Sequence, residues 1–126
     1  DEIIDITVPA NSKCTYFEFP NLEGSEIFTI PFAVLYDKHG NMLSQNRKID
    51  SLINEIPFST PDIKFSIKNE KIVFESDVYV MGVCIDLDGD SKASDNIFDL
   101  FPNIPYSIGY YNSFDGIKYT MNDFLK

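Results

Sequence analysis

The sequence predicts an all-β fold, an antiparallel β-sandwich of about seven to nine strands. Two observations lead there. The 126 residues break into short runs rich in β-branched and aromatic side chains, and Pro, Gly, Asn and Asp punctuate them at strand-and-turn spacing. Helical periodicity shows in one stretch alone, 49–56, where Ile49, Leu52, Ile53 and Ile56 follow the i, i+3, i+4, i+7 rule and Pro57 ends the run. A chain of this length makes one domain, 1–126, and buries a core without needing metal or disulfide support.

The predicted strands follow in order. Residues 3–8 form the first run. In 13–19, Thr15, Phe17 and Phe19 share the face expected to point inward, with Cys14, Tyr16 and Glu18 on the other. Residues 27–36 and 42–47 form a hairpin around Asp37-Lys38-His39-Gly40-Asn41, where Gly40 supplies a positive φ. Residues 63–68 set Ile63, Phe65 and Ile67 against Asp62, Lys64, Ser66 and Lys68, which predicts one buried and one wet face. Lys68-Asn69-Glu70-Lys71 turns into 72–75. Residues 78–87 form the next run, and 78–85 within it are apolar on both sides, as in a central strand covered on both faces or bordering another domain. Residues 106–111 place Tyr106, Ile108 and Tyr110 on one face, so Tyr106 and Tyr110 are expected in the core. In the tail, 117–121 reads equally as a last strand or as a closing segment.

The net charge of −10 repels phosphate backbones and anionic lipid, so neither nucleic acid nor a membrane is an expected partner. No apolar run approaches the length that spans a bilayer, and no leader pattern opens the chain. Cys14 and Cys84 are the two cysteines. Their spacing suits a disulfide across a sandwich, but Cys14 lies on the outward face of its run, so both are expected as free thiols. They do not fix the compartment.

Three groups of residues compete as chemical sites. Asp86, Asp88 and Asp90 alternate around Gly89 as in the start of a calcium loop. The bidentate Glu such a loop needs is replaced by Asp95, so a solvated turn is the leading reading, with weak calcium binding compatible with it. No other cofactor is expected. Tyr111, Phe114 and Tyr119 are candidates for stacking on sugar rings, against core packing as the plainer role. His39, the single histidine, sits in a turn without a nucleophile motif beside it, which argues against triad chemistry and zinc.

The most distinctive stretch is Ser94-Asp95-Asn96-Ile97-Phe98-Asp99-Leu100-Phe101-Pro102-Asn103-Ile104-Pro105. Asp95 and Asn96 open a turn, Phe98 and Leu100 fall on one side of a short strand with Asp99 opposite, and the prolines fix the exit. This stretch resembles the Ser-Asp-Asn-x-Phe-Asp-Leu-x-Pro signature of the C-terminal immunoglobulin-like domain in β-mannosidase-like family 2 glycoside hydrolases. Val8 to Ser12 and the passage Phe74-Glu75-Ser76-Asp77-Val78-Tyr79-Val80-Met81-Gly82-Val83-Cys84-Ile85 resemble the same domain more loosely. The loose likeness spans about 6–112, the specific one 94–102. Where the family continues Pro-Gly-Glu, this chain has Pro102-Asn103-Ile104; Asn accepts the positive φ of a Gly, while any polar contact of the Glu is lost.

The resemblance implies an immunoglobulin-like sandwich that is not itself an enzyme. The catalytic carboxylates of such hydrolases sit on a (β/α)₈ barrel, which 126 residues are too few to form. The parent would cleave β-mannosides with retention, and this domain would buttress the domains that precede it. The structural residues implied are Ser94, Asp95, Asn96, Phe98, Asp99, Leu100 and Pro102. For a bacterial glycosidase a secreted or periplasmic location is favoured over a cytoplasmic one. The alternatives are a carbohydrate-binding module, with soluble carbohydrate as partner, and a free-standing immunoglobulin-like interaction domain.

Overall fold

A computed structural model describes residues 2–18, 29–86, 88–89, 92–110 and 114–125. Within them the chain is mostly β and every sheet is antiparallel. The strands are β1 (Phe32–Tyr36), β2 (Met42–Arg47), β3 (Lys64–Lys68), β4 (Lys71–Glu75), β5 (Val80–Cys84), β6 (Ile97–Leu100) and β7 (Tyr106–Gly109). They form three sheets, β1-β2, β3-β4-β7 and β5-β6. One short helix, α1 (Met121–Phe124), follows.

Local chemistry explains the hairpins. The Asp37 carboxylate accepts the backbone N–H groups of His39 at 2.8 Å and Asn41 at 2.9 Å, and the Asn41 amide at 2.8 Å. That triple contact closes the turn between β1 and β2, with Gly40 at φ 82°. Between β3 and β4, Asn69 and Glu70 both take positive φ, 50° and 58°, the pair of left-handed residues that a tight two-residue hairpin requires.

The core lies where β4 and β7 meet β5 and β6. Ile72 and Phe74 from β4 and Ile108 from β7 pack with Val80, Val83, Phe98 and Leu100, joined by Ile85 and Tyr110. Phe74 and Phe98 have ring centroids 5.2 Å apart, and Phe98 stacks on Tyr106 at 4.7 Å. The β1-β2 hairpin is fastened separately by Phe32, which stacks on Phe101 at 4.3 Å and 2°.

Several expectations are corrected. Residues 2–18 contain no strand and are exposed throughout, Phe17 included; Phe19 lies outside the described residues. Alternation prepares a segment to be a strand, but a strand also needs a neighbour for its backbone groups. β1 begins at Phe32 and 29–31 are not strand, while 27 and 28 lie outside the described residues. Strand β3 is exposed on both faces, with Phe65 at 50% and Ile67 at 61%, because it is an edge strand. The helical pattern over 49–56 yields only a single 3₁₀ turn, Ile53–Glu55.

β5 carries buried residues on both faces, as its sequence requires. The second cover comes from this chain: α1 packs against β5, and Cys84 forms a β-bridge with Tyr119. Of 117–121, only Tyr119 pairs as a strand does, and α1 begins at Met121. Both cysteines are free thiols, Cys14 exposed and Cys84 partly buried. No helix is long and apolar enough to cross a membrane among the described residues.

Candidate functional site

The residues 94–103 form a junction that ties four parts of the chain together. Ser94 exchanges two bonds with Gly109 of β7, its N–H donating to the carbonyl at 2.9 Å and its Oγ accepting the amide at 2.8 Å. One carboxylate oxygen of Asp95 accepts the Asn96 amide at 2.8 Å, and the other accepts the Tyr106 hydroxyl at 2.6 Å. Asn96 works as a surrogate strand: its Oδ1 accepts from Asp86 at 2.9 Å and Ile85 at 3.3 Å, and its Nδ2 donates to the Asp86 carbonyl at 2.7 Å. The exposed-to-buried alternation of β6 then sends Phe98 and Leu100 into the core.

Asp99, on the opposite side of β6, is the hub. Its Oδ1 accepts the Gly82 amide at 2.9 Å, and its Oδ2 accepts the Tyr79 hydroxyl at 2.9 Å and forms an ion pair with Arg47 at 2.6 Å, whose Nε–H donates to the Tyr79 hydroxyl at 2.5 Å. Its carbonyl accepts Gln45 Nε2 at 2.8 Å. The sheet β5-β6 is thereby joined to β2. Pairing Oδ1 to a strand amide replaces ladder bonding where the β5-β6 register slips between Val80 and Val83. Gly82 sits there at φ 59°, and a Cβ on it would come within 2.8 Å of Met121 Cγ. Pro102 ends β6, Asn103 turns at φ 59°, and its N–H donates to the Ser76 carbonyl at 2.8 Å.

The electrostatics favour anchoring over proton transfer. Burial pushes the Tyr79 hydroxyl well above its ordinary range, reinforced by the Asp99 charge and hydrogen bond and opposed by Arg47. Burial, then the bond to Asp95, does the same to Tyr106. Both phenols therefore stay protonated as donors, and both oxygens of Asp99 are engaged. An open groove of about 1170 Å³ adjoins this junction, lined among others by Arg47, Gly82, Ile97, Asp99 and Met121.

The remaining candidates are scattered. Asp86 Oδ1 accepts the amides of Asp88 at 3.1 Å and Gly89 at 3.2 Å, a side-chain turn of the kind a carboxylate makes with its own loop. Asp90 lies outside the described residues, among which no group of three potential metal ligands occurs. Tyr111 is also outside them. Phe114 is half-buried in edge-on contact with Phe65, Tyr110 and Phe74 at 5.1, 5.7 and 5.9 Å. Tyr119 is exposed and meets Phe124 at 5.6 Å, tilted by 40°. Phe114 and Tyr119 thus belong to separate aromatic groups and do not build one flat platform. His39 is exposed.

The sequence reading missed Arg47 and Tyr79 at the Asp99 hub, and it missed Asn122. Asn122 is 0% exposed; it accepts the Met81 amide at 2.9 Å and donates to the carbonyls of Tyr79 at 3.0 Å and Ser59 at 3.1 Å. The only signal in the sequence was the capping box around it, Thr120 and Asp123 bonded reciprocally at the start of α1.

Comparison with protein-family models, with curated proteins and with solved structures finds no match.

Proposed function

We propose that this chain is a non-catalytic, immunoglobulin-like sandwich domain of a β-mannosidase-like family 2 glycoside hydrolase, and that its work is mechanical. The observation that carries the reading is the use made of the 94–102 stretch, the part that resembles that family. Ser94 and Asp95 spend their side chains on β7, Asn96 on Ile85 and Asp86, and Asp99 on Gly82 and Tyr79, in bonds of 2.6–3.3 Å. Phe98 and Leu100 fill the core beneath them. A motif spent in this way specifies a rigid body. Such a body holds neighbouring domains of its parent in register, while the parent's barrel carries the acid and nucleophile that cleave β-mannosides with retention.

A second reading, a carbohydrate-binding module, draws support from the exposed rings of Tyr119 and Phe124. Calorimetry of the chain against manno-oligosaccharides separates the two. The buttress reading expects no heat above dilution; binding tighter than about millimolar, roughly 4 kcal/mol, replaces it with the module. In the parent enzyme, Phe98→Ala is expected to lower the melting temperature while leaving kcat/KM per folded molecule unchanged. A large fall in kcat/KM at unchanged melting temperature would place this domain in the catalytic machinery. A parent sequence without a barrel bearing two catalytic carboxylates would remove the family from the reading.

A further inference from the structure

Two open features of the molecule match each other. The first is the outer edge of β3. Among the described residues this strand has β4 as its one hydrogen-bonded neighbour, and it presents Phe65 and Ile67 to solvent. Lys64 and Lys68 bracket it on the other face. The second is the segment 3–8, exposed along its whole length, with Ile3 at 96%. It alternates as a strand does: Ile4, Ile6 and Val8 on one face, Ile3, Asp5 and Thr7 on the other, with Glu2 just before.

We propose that residues 3–8 of one copy of this chain add as an antiparallel strand to the free edge of β3 in a second copy, and that the exchange is reciprocal. The register follows from the side chains. Setting Ile6 opposite Phe65 and Ile4 opposite Ile67 puts four apolar residues on one face. Asp5 then lies opposite Ser66 on the other face, diagonal to both Lys64 and Lys68 and within reach of those long side chains. A shift by one residue turns the isoleucines to the wrong face, so the register is specified.

Charge selects this partner for the edge. Lys64 and Lys68 discourage β3 from pairing with another β3, since like charges would meet across the new ladder. An acidic strand is attracted by the same lysines. Among the described residues the outer edge of β3 has no strand beside it and 3–8 makes one contact, from the Tyr16 hydroxyl to the Thr7 carbonyl; a two-fold exchange joins the two in a closed dimer.

The test is a cross-link read together with mass. In a Cys14→Ser background, the pair Asp5→Cys and Ser66→Cys places two thiols opposite one another in the proposed ladder. Mild oxidation is expected to give a covalent dimer, and light scattering of the unsubstituted chain a mass twice its 14.4 kDa. The variant carrying Ile4→Lys and Ile6→Lys is expected to dissociate, with the dimer constant weakened about tenfold or more and an unchanged circular dichroism spectrum. A disulfide closed within single chains would mean that the segment docks on its own β3, and overturns the exchange. A chain that stays monomeric at about 100 μM without forming the link overturns it equally, since that concentration corresponds to only about 5.5 kcal/mol of association.

Discussion

Asn122 accepts the backbone N–H of Met81 at 2.9 Å, so a side chain from α1 completes the hydrogen bonding of β5 at a point no strand reaches. The same amide donates to two carbonyls, Tyr79 and Ser59. One buried residue thereby satisfies three backbone groups from two separate segments.

Asn122→Ala leaves those groups buried without partners. Each unsatisfied group costs about 1–3 kcal/mol, so a total near 3 kcal/mol is expected after partial relaxation. Asn122→Asp is expected to be worse, because a carboxylate would face two carbonyl oxygens. Urea unfolding of both variants checks the order; equal stability of Asn122→Ala and the parent would show that water replaces the amide.

Gly82→Ala combines two penalties. The backbone holds φ at 59°, and the new Cβ would press on Met121 Cγ at 2.8 Å. A loss of about 2 kcal/mol is expected from the left-handed conformation and the crowding together. Adding Met121→Ala should return only part of it, because the backbone strain stays. Full recovery in a double-mutant cycle would assign the whole effect to the contact.

Phe98→Ala removes a ring packed between Phe74 and Tyr106. A loss of about 3–5 kcal/mol is expected for a truncation of that size. Chemical denaturation reads it directly, and a variant as stable as the parent would deny the 94–102 stretch its structural role.

Stability at alkaline pH should report on Tyr79 and Tyr106. Both hydroxyls hold their proton more tightly in the folded chain than at the ordinary value of 10.0. The native state therefore binds more protons than the unfolded one once pH exceeds that value, and stability falls as pH rises further; below it the contribution is fully present. Tyr79→Phe should lower stability near neutrality, by losing the bond to Asp99, yet show a shallower decline above about pH 10. An equal decline in variant and parent would assign the alkaline loss to other groups.

What the sequence made legible was local. The turn at Asp37 and Gly40 was readable because the residues that form it adjoin each other, and so was the tight turn at Asn69. Phe98 and Leu100 were readable as a buried pair from a two-residue period and a proline stop. The partner of each strand was not. Residues 3–8 alternate as well as 63–68 do, yet only the latter contains a strand, because pairing depends on edges supplied from distant parts of the chain. The two-sided burial of β5 was visible in Val80, Met81 and Val83, but the cover, Asn122 and Met121, lies about forty residues away, beyond any local period. Asp99 looked like the outward residue of a strand. Its role as a hub depends on Arg47 and Tyr79, which the fold brings in from elsewhere.

The closing of β5 by residues 119–125 has a consequence for biosynthesis. A nascent chain that has emerged only through residue 113 can already hold β3, β4 and β7, but the outer face of β5 is still bare. Met81 has no lid, and its amide has no acceptor from α1. The cooperative transition is expected to wait until α1 has emerged, because α1 supplies the cover and the Met81 acceptor that β5 lacks without it. Pulse proteolysis of chains ending at 113 and at 125 would expose the difference: the shorter should be cut within β5, the longer protected.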